Sequence, residues 1–343
     1  VLDVQPVGNV VIDVTSGDTG EATVAPASLT FTAANWNSAQ TVTVTGVDDN
    51  IIDGSINTTI TMAVVDASSD NNFDALADQT VTATTTDNDT AAFTLGAISG
   101  TVAETGTTAT FTVVLGAQPD SDVVISVTSG DTGEATVSAA NLTFTNGNWD
   151  TPQTVTVTGV DDNLVDGSVN TTITMAVVDA SSDDNFDGVA DQTVTATTTD
   201  NDSASFALGT ISGTVSEGAT TATFTVVLGA QPDSDVVISV TSGDTGEATV
   251  SAAELTFTNG NWSTPQTVTV TGVDDALADG SQSTTITMSV KDASSDDNFD
   301  SVADQTVTAT TTDNDTAAFT LSKTDAIVTN SGGTDTFTVV LDV

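Results

Sequence analysis

The chain has no cysteine, no histidine, no tyrosine and no arginine, and its only basic side chains are Lys291 and Lys323. Each absence closes off a chemistry. Without cysteine there are no disulfides, so stability must come from buried apolar surface and from bound ions; the lack does not by itself name a compartment. Without cysteine and histidine there is no soft-metal site and no histidine-based triad or proton relay. Two lysines against 48 aspartates and glutamates give a formal charge of −46 over 343 residues. No basic surface exists to meet nucleic acid phosphates or anionic lipid. No apolar run is long enough to insert in a membrane as a helix. No signal peptide or anchor is present either, and because the sequence opens inside a repeat, any leader lies outside it.

A compact body with that charge repels itself unless cations neutralise it. Strong acidity is also a mark of disorder. Here 38% of the residues are hydrophobic, mostly Val, Ala, Ile, Leu and Phe, and the mean hydropathy is slightly positive, which is enough to build cores. Aspartate dominates the acids, and aspartate is a turn and ligand residue more than a helix residue. Cations are the expected partners.

The sequence repeats. The triplet Asp-Asn-Asp falls at Asp87, Asp200 and Asp313, and Trp36, Trp149 and Trp262 keep the same spacing of 113 residues. The strings VTSGDTGEATV and DQTVTATTTDND obey it too. A period of that length is a whole domain, longer than a solenoid turn. The expected organisation is a partial repeat over 1–89 that lacks its first strands, complete repeats over 90–202 and 203–315, and the first strands of a further repeat over 316–343. In repeat register Val340-Leu341-Asp342-Val343 restates Val1-Leu2-Asp3-Val4. One expectation is a window on a longer protein with a 339-residue super-repeat, which the four-residue overlap favours. The other is that 316–343 completes the open first unit of a neighbouring subunit by strand donation. Either joins copies end to end, in one very long chain or in a polymer.

Within the middle repeat nearly every segment alternates apolar and polar residues. Ala109, Phe111, Val113 and Leu115 share one face with Thr between them. Val123, Ile125 and Val127 repeat the pattern, as do Leu142 with Phe144, Val155 with Val157, Ile173 with Met175 and Val177, and Val194 with Ala196. A short strand near Phe93 opens the unit. Turn-rich strings such as GAQPDSD, TSGDTGE and TNGNWDTP separate them. The pattern predicts an all-β chain of tandem immunoglobulin-like Greek-key β-sandwiches, about seven strands per 113-residue repeat, arranged as an extended rod. The three Trp residues read as core or edge-capping aromatics. The outward Thr rows read as a solvated sheet face, and Lys291 as a solvated outward position.

The acids gather at loop ends. Asp161, Asp162 and Asp166 lie in GVDDNLVDGS between two late strands, Asp200 and Asp202 end the last strand, Glu104 follows the opening strand, and Asp131 and Glu134 share another loop. Brought to one end of a sandwich, such carboxylates would repel and some would have to protonate. A hard divalent cation relieves this, and Ca2+ takes six to eight oxygens at flexible geometry where Mg2+ prefers to keep its waters.

The segments SGTVAETGTTATFTVVL, TPQTVTVTGVDDNLVDGS and TVTATTTDND together resemble the Calx-β repeat and the Calx-β-like modules of large bacterial surface proteins. The resemblance covers each 113-residue unit. It implies calcium held by an early Glu, an acid in a middle loop, paired acids with another a few residues downstream, and the terminal acids. In this sequence those are Glu104, Asp131, Asp161, Asp162, Asp166, Asp200 and Asp202; in the next repeat Glu217, Asp244, Asp274, Asp275, Asp279, Asp313 and Asp315; and in the first Asp18, Asp48, Asp49, Asp53, Asp87 and Asp89. Glu134 is the alternative to Asp131. Asn330 stands at the early Glu position of the last part-repeat, which implies weaker binding there. A second string, DDNFDG from Asp183, matches the opening of an EF-hand loop but has Val194 where a bidentate Glu is needed, so a turn whose Phe186 plugs the sandwich end is expected.

Three functions follow as expectations. The first is a non-enzymatic, calcium-stiffened stalk or filament of a bacterial surface adhesin, fibre or biofilm matrix, extracellular or at the cell surface. The second is a glycan- or ice-binding module acting through the Thr faces. The third is a carboxylate-pair glycosidase, disfavoured by one Trp and no Tyr per repeat.

Overall fold

The computed structural model describes residues 1–342. They form strands and turns with a few single 3-10 turns, and no α-helix occurs among them. No helix among the described residues is long and apolar enough to cross a membrane.

The third repeat shows the architecture complete. One sheet has the strands Phe206–Leu208, Thr221–Leu228, Gln266–Gly272 and Ala248–Val250 in that spatial order. The other has Val215–Ser216, Gln305–Thr312, Gln282–Val290, Val236–Ser242 and Glu254–Phe257. Val215–Ser216 runs parallel to Gln305–Thr312; the other neighbouring strands pair antiparallel. Consecutive strands that change sheets in this way make a Greek-key sandwich of immunoglobulin type. The same strand orders recur in the middle repeat. All seven strands that alternation announces are present, with two short additions, Val102–Ala103 and Ala135–Val137.

Alternation sets what is buried. In Thr221–Leu228 the side chains Ala222, Phe224, Val226 and Leu228 are buried, while Thr223, Thr225 and Val227 are partly exposed. Three separate apolar cores result, and one Trp packs at the margin of each. Phe224 is at the centre of the third. Its replacement by Ala removes transfer energy and leaves a cavity, and is expected to cost about 3–5 kcal/mol, read as a lower denaturant midpoint for that repeat. A loss below about 1 kcal/mol would mean the core tolerates the void. Lys291 pairs with Glu254 at 2.7 Å, both about half exposed, so the pair contributes little.

The described residues divide into two compact units. One holds 1–102, 107–158 and 170–196; the other holds 103–106, 159–169 and the residues from 197 on. The division runs through the middle repeat, so each unit contains one contact between successive repeats. In the first unit the Gln118 amide donates to the Asn50 carbonyl at 2.7 Å, Ile51 bridges Gln118 in parallel, and Ile52 packs against the core that includes Phe93 and Phe111. In the second unit the Gln231 amide donates to Asn163 at 2.7 Å and its carbonyl accepts from Val165 at 3.0 Å. Asn298 Nδ2 donates to the Val165 carbonyl at 2.7 Å, and Val165 is a member of the third repeat's core. The second apolar residue between the acids of these two loops, Ile52 or Val165, is thus a plug in the next sandwich.

The first repeat has a four-stranded sheet, Ser28–Phe31, Val10–Ser16, Ile56–Val64 and Gln79–Thr85, but only two strands, Ala22–Ala25 and Thr43–Gly46, in its second sheet. Residues 319–341 form an exposed hairpin between Phe319–Leu321 and Val339–Leu341.

Candidate metal centre

The last strand of the middle repeat, Gln192–Thr199, runs into Asp200-Asn201-Asp202. Asp200 ties this turn to the acid-bearing loop. Its Oδ1 accepts from the Asp202 amide at 2.6 Å, and its Oδ2 accepts from the amides of Gly167 at 2.9 Å and Asp166 at 3.2 Å. One carboxylate therefore fixes the loop against the strand end. Gly167 takes φ +73°, which its lack of a Cβ permits. Glu104 arrives on the segment after Val102–Ala103, and its amide donates to the Thr199 carbonyl at 3.2 Å. That segment passes directly over Gly159, where a Cβ would lie 2.2 Å from the Ala103 carbonyl oxygen. Only glycine admits so close a crossing. Asn201 completes the frame, its amide donating to Glu104 Oε2 at 3.0 Å and its Nδ2 to Asp161 Oδ1 at 2.7 Å.

The result is a tight group of carboxylates. Oxygens of Glu104, Asp200 and Asp202 lie within 4.8 Å of one another, as do those of Glu217, Asp313 and Asp315, and those of Glu21, Asp49 and Asp53. Glu104 and Glu217 are each 2% exposed. The third repeat repeats the frame: Asn314 donates to Glu217 Oε2 and to Asp274 Oδ1, both at 3.0 Å, and Gly280 to Asp313 Oδ2 at 2.7 Å. In the first, Gly54 donates to Asp87 Oδ2 at 3.0 Å and Asp89 to Asp87 Oδ1 at 2.7 Å.

These carboxyls are costly to charge. Burial raises the pKa of Glu104, with Asp200, Asp162 and Asp166 adding to it and the Asn201 amide opposing. Burial, then Asp200 and Asp162, raise Asp166. Burial, then Asp200, Asp161 and Asp162, raise Asp202. Asp315 and Asp89 are raised in the same way. Asp87 goes the other way, its carboxylate held low by the amides of Asp89 and Gly54.

Several oxygens have no partner. Asp166 Oδ1, Asp202 Oδ2, Asp315 Oδ2 and Glu247 Oε2 are buried and make no hydrogen bond. A buried carboxylate oxygen without a donor is strongly unfavourable. An all-oxygen, anionic donor set with orphaned oxygens aimed inward fits a hard cation of the Ca2+ type.

The placement of each acid is specific. Asp162 Oδ1 and Asp275 Oδ1 accept from the amides of Leu164 and Leu277 within their own loops, both at 2.7 Å, and Asp49 does so from Ile51 at 2.8 Å. Asp48 and Asp53 face Asp89, and Asp279 and Asp275 face Glu247. In the middle loop the two acids of each repeat divide the work. Asp18, Asp131 and Asp244 each turn Oδ1 back onto a glycine amide two residues on, Gly20, Gly133 and Gly246, at 2.9 Å. The glutamate three residues later points inward: Glu247 sits among Asp279, Asp275, Asp244 and Glu217, Glu21 among Asp53, Asp49 and Asp18, and Glu134 is buried. Glu21 and Glu247 were not among the residues expected from sequence. The signal was the Asp-Thr-Gly string, an Asx turn that occupies the aspartate.

The EF-hand-like string is a structural turn. Asp183 Oδ2 accepts from the amides of Asp120 and Ser121 and Oδ1 from Asn185, so both oxygens are spent on backbone, and Phe186 is fully buried.

No family model matches the sequence, and no curated protein does. Among solved structures the chain is similar to β-rich proteins. Domains 1–6 of the surface layer protein SbsC align with 96% of this chain and 43% of that one at 13% identity and TM-score 0.28. SbsC domains 4–9 align with 94% and 42% at 19% identity and TM-score 0.25. CBD12 from CALX1.2 aligns with 57% and 78% at 15% identity and TM-score 0.24. The chain spans less than half the length of the two surface-layer fragments.

Proposed function

We propose that this chain is a non-enzymatic structural segment of an extracellular surface protein, whose successive sandwiches are locked by calcium at the loop joining one repeat to the next. One observation carries the reading: the same short loop holds the acids and the plug. Asp162 and Asp166 flank Leu164 and Val165; Leu164 bridges Gln231, and Val165 bonds to Gln231 and fills the next core. Loop order and junction order are therefore one degree of freedom. In this reading 90–202 and 203–315 are successive beads, with 1–89 and 316–343 part-repeats beside them.

Glu104, Asp200 and Asp202, with Asp161, Asp162 and Asp166, would hold the ion in the middle repeat; Glu217, Asp313 and Asp315, with Glu247, Asp275 and Asp279, in the third; and Glu21, Asp49 and Asp53, with Asp87 and Asp89, in the first. Bound calcium would supply the positive charge that lets these buried oxygens stay ionised. Without it, repulsion among Asp162, Asp166 and Asp200 loosens the loop, and the plug loosens with it. Carboxylate-rich sites of this kind suit the high calcium outside cells, where modules bind at about 10⁻⁴–10⁻³ M. Small-angle scattering of the chain with calcium and with chelator tests the locking: a narrower distribution of shapes with calcium is expected, and identical profiles would remove the lock.

The raised carboxyls fix the sign of a pH test. In chelator, the folded Glu104, Asp166 and Asp202 hold protons at a pH where the unfolded chain has released them. Stability then rises as pH falls from neutral into their folded-state window. It turns down again lower, where Asp87 and Asp183, whose values are depressed, become protonated. With calcium bound, protons compete with the metal and mild acid destabilises from the start. Melting curves at about pH 7 and about pH 5, with chelator and with calcium, should show opposite slopes. A falling melting temperature in both would contradict the cluster's electrostatics.

A further inference from the structure

Each junction brings a carboxylate from either side. At the second junction Leu164 bridges Gln231 in parallel; the Gln231 amide donates to the Asn163 carbonyl, and the Val165 amide to the Gln231 carbonyl. Carried two residues further along both segments, that register sets Asp166 beside Asp233. The alternation agrees. Val165 and Pro232 are buried, whereas Asp233 is exposed and Asp166 partly exposed. All of these residues belong to the second compact unit.

Asp233 is held in place by its own repeat. Its amide and that of Ser234 donate to Asp296 Oδ2 at 2.7 and 3.0 Å. Asp296 is 5% exposed, and its Oδ1 accepts from the Asn298 amide at 3.0 Å. Asn298 is the residue whose Nδ2 donates to the Val165 carbonyl. One buried carboxylate thus fixes both the segment that carries Asp233 and the side chain that holds the plug. Across the junction, Asp166 Oδ1 is buried and makes no hydrogen bond. Asp233 joins Asp200 and Asp162 among the charges that, after burial, raise the Asp166 carboxyl. The chain's two basic side chains are engaged elsewhere, Lys291 with Glu254 and Lys323 with Asp335. The first junction has the same plan. Ile51 bridges Gln118 in parallel, which sets Asp53 beside Asp120. The Asp120 amide donates to Asp183 Oδ2 at 2.7 Å, and Asn185 Nδ2 to the Ile52 carbonyl at 3.0 Å.

We infer that Asp233 is a ligand lent by the following repeat to the cation of the middle repeat, which it shares with Asp166, and that Asp120 is the corresponding ligand for the first. The inference rests on the calcium reading and extends it. Loop acids alone order the loop that carries the plug; a carboxylate from beyond the junction ties the next sandwich to the ion itself. Ca2+ suits such a shared position because it accepts six to eight oxygens at flexible geometry. The coupling is reciprocal: a closed junction completes the coordination, and the ion favours the closed junction by the same factor.

The test follows proteolysis within 160–168 in the intact chain as calcium is raised, which reads this junction alone. Asp233→Asn alters an exposed side chain and leaves its backbone bond to Asp296 in place. It should raise the calcium concentration for half-protection by roughly ten-fold, within the usual span of such couplings. In chelator the same variant should be cut more slowly than wild type, because Asp166 has lost a repelling neighbour. Asp235→Asn, the same charge change two residues farther along the exposed loop, should do neither. The shift should persist in about 1 M salt, where a general field effect is screened within about 3 Å. Asp120→Asn, followed by proteolysis within 47–55, repeats the test at the first junction. Wild-type protection that responds to calcium, with Asp233→Asn and Asp120→Asn matching it, would overturn the shared ligand and leave the calcium reading standing. A shift equalled by Asp235→Asn, or abolished by the salt, would likewise overturn it. Wild-type protection indifferent to calcium would overturn both.

Discussion

Calcium is expected to raise the unfolding temperature of this chain by roughly ten degrees or more, and chelator to reverse the rise. A ligand that binds only the folded state at about 100 times its dissociation constant adds about 2.7 kcal/mol per site. For a domain of about 100 residues each kcal/mol moves the midpoint by about 4 °C or more. The decisive variants are Asp202→Asn and Asp315→Asn, each of which keeps the side chain's size, removes one charge and gives the orphaned oxygen's position a group that need not be ionised. In calcium each should lose most of the rise belonging to its own repeat. In chelator each should melt above wild type, because a carboxyl made costly by burial and by its neighbours has gone. These two shifts have opposite signs, which ordinary loss of a surface contact does not produce. Variants that melt below wild type in chelator and keep the full calcium response would place the ion elsewhere.

Val165→Asp is expected to unlock the second junction while leaving Glu104, Asp200 and Asp202 in place. Val165 is 8% exposed within the third repeat's core, and a carboxylate cannot stay there unpaired. The loop must withdraw, taking with it the bond from the Val165 amide to Gln231 and the one from Asn298 Nδ2. The lost burial of a Val alone is about 1.5–3 kcal/mol, which opens the loop locally by on the order of ten- to a hundred-fold. Proteolysis within 160–168 should accelerate by that factor, and scattering should report a looser chain. Calcium affinity of the middle repeat should fall with it, because Asp162 and Asp166 leave with the loop, while the cluster of Glu217, Asp313 and Asp315 in the third repeat is untouched. Val165→Ala, which keeps the backbone bonds, should give a small fraction of the effect. A Val165→Asp loop as protected as the wild type would mean the plug does not hold the junction.

Much of this was written in the sequence, for physical reasons that differ by feature. Strands such as Thr221–Leu228 were legible because a sheet buried on one face imposes period two, and Thr on the other face keeps that period clean. The cluster was legible because loop acids recurred every 113 residues in a chain with almost nothing to neutralise them. The short strand Val102–Ala103 was hidden: two residues carry no period, and its pairing with a distant last strand leaves no local mark. Which acid of the middle loop faces inward was hidden by turn geometry, since Asp131 and Glu134 differ only in that Gly133 claims the first. The plug was hidden for a third reason. Ile52 and Val165 look like stray apolar residues in an acidic loop, and their partners lie in another repeat.

The central claim is that the recurrent carboxylate clusters bind calcium, and a calorimetric titration of the intact chain with calcium addresses it most directly. The account predicts saturable binding at or below millimolar calcium, with the part assigned to the middle repeat lost in Asp202→Asn and the part assigned to the third lost in Asp315→Asn. A wild-type chain with no saturable binding in that range, or variants whose isotherms match the wild type, would contradict it.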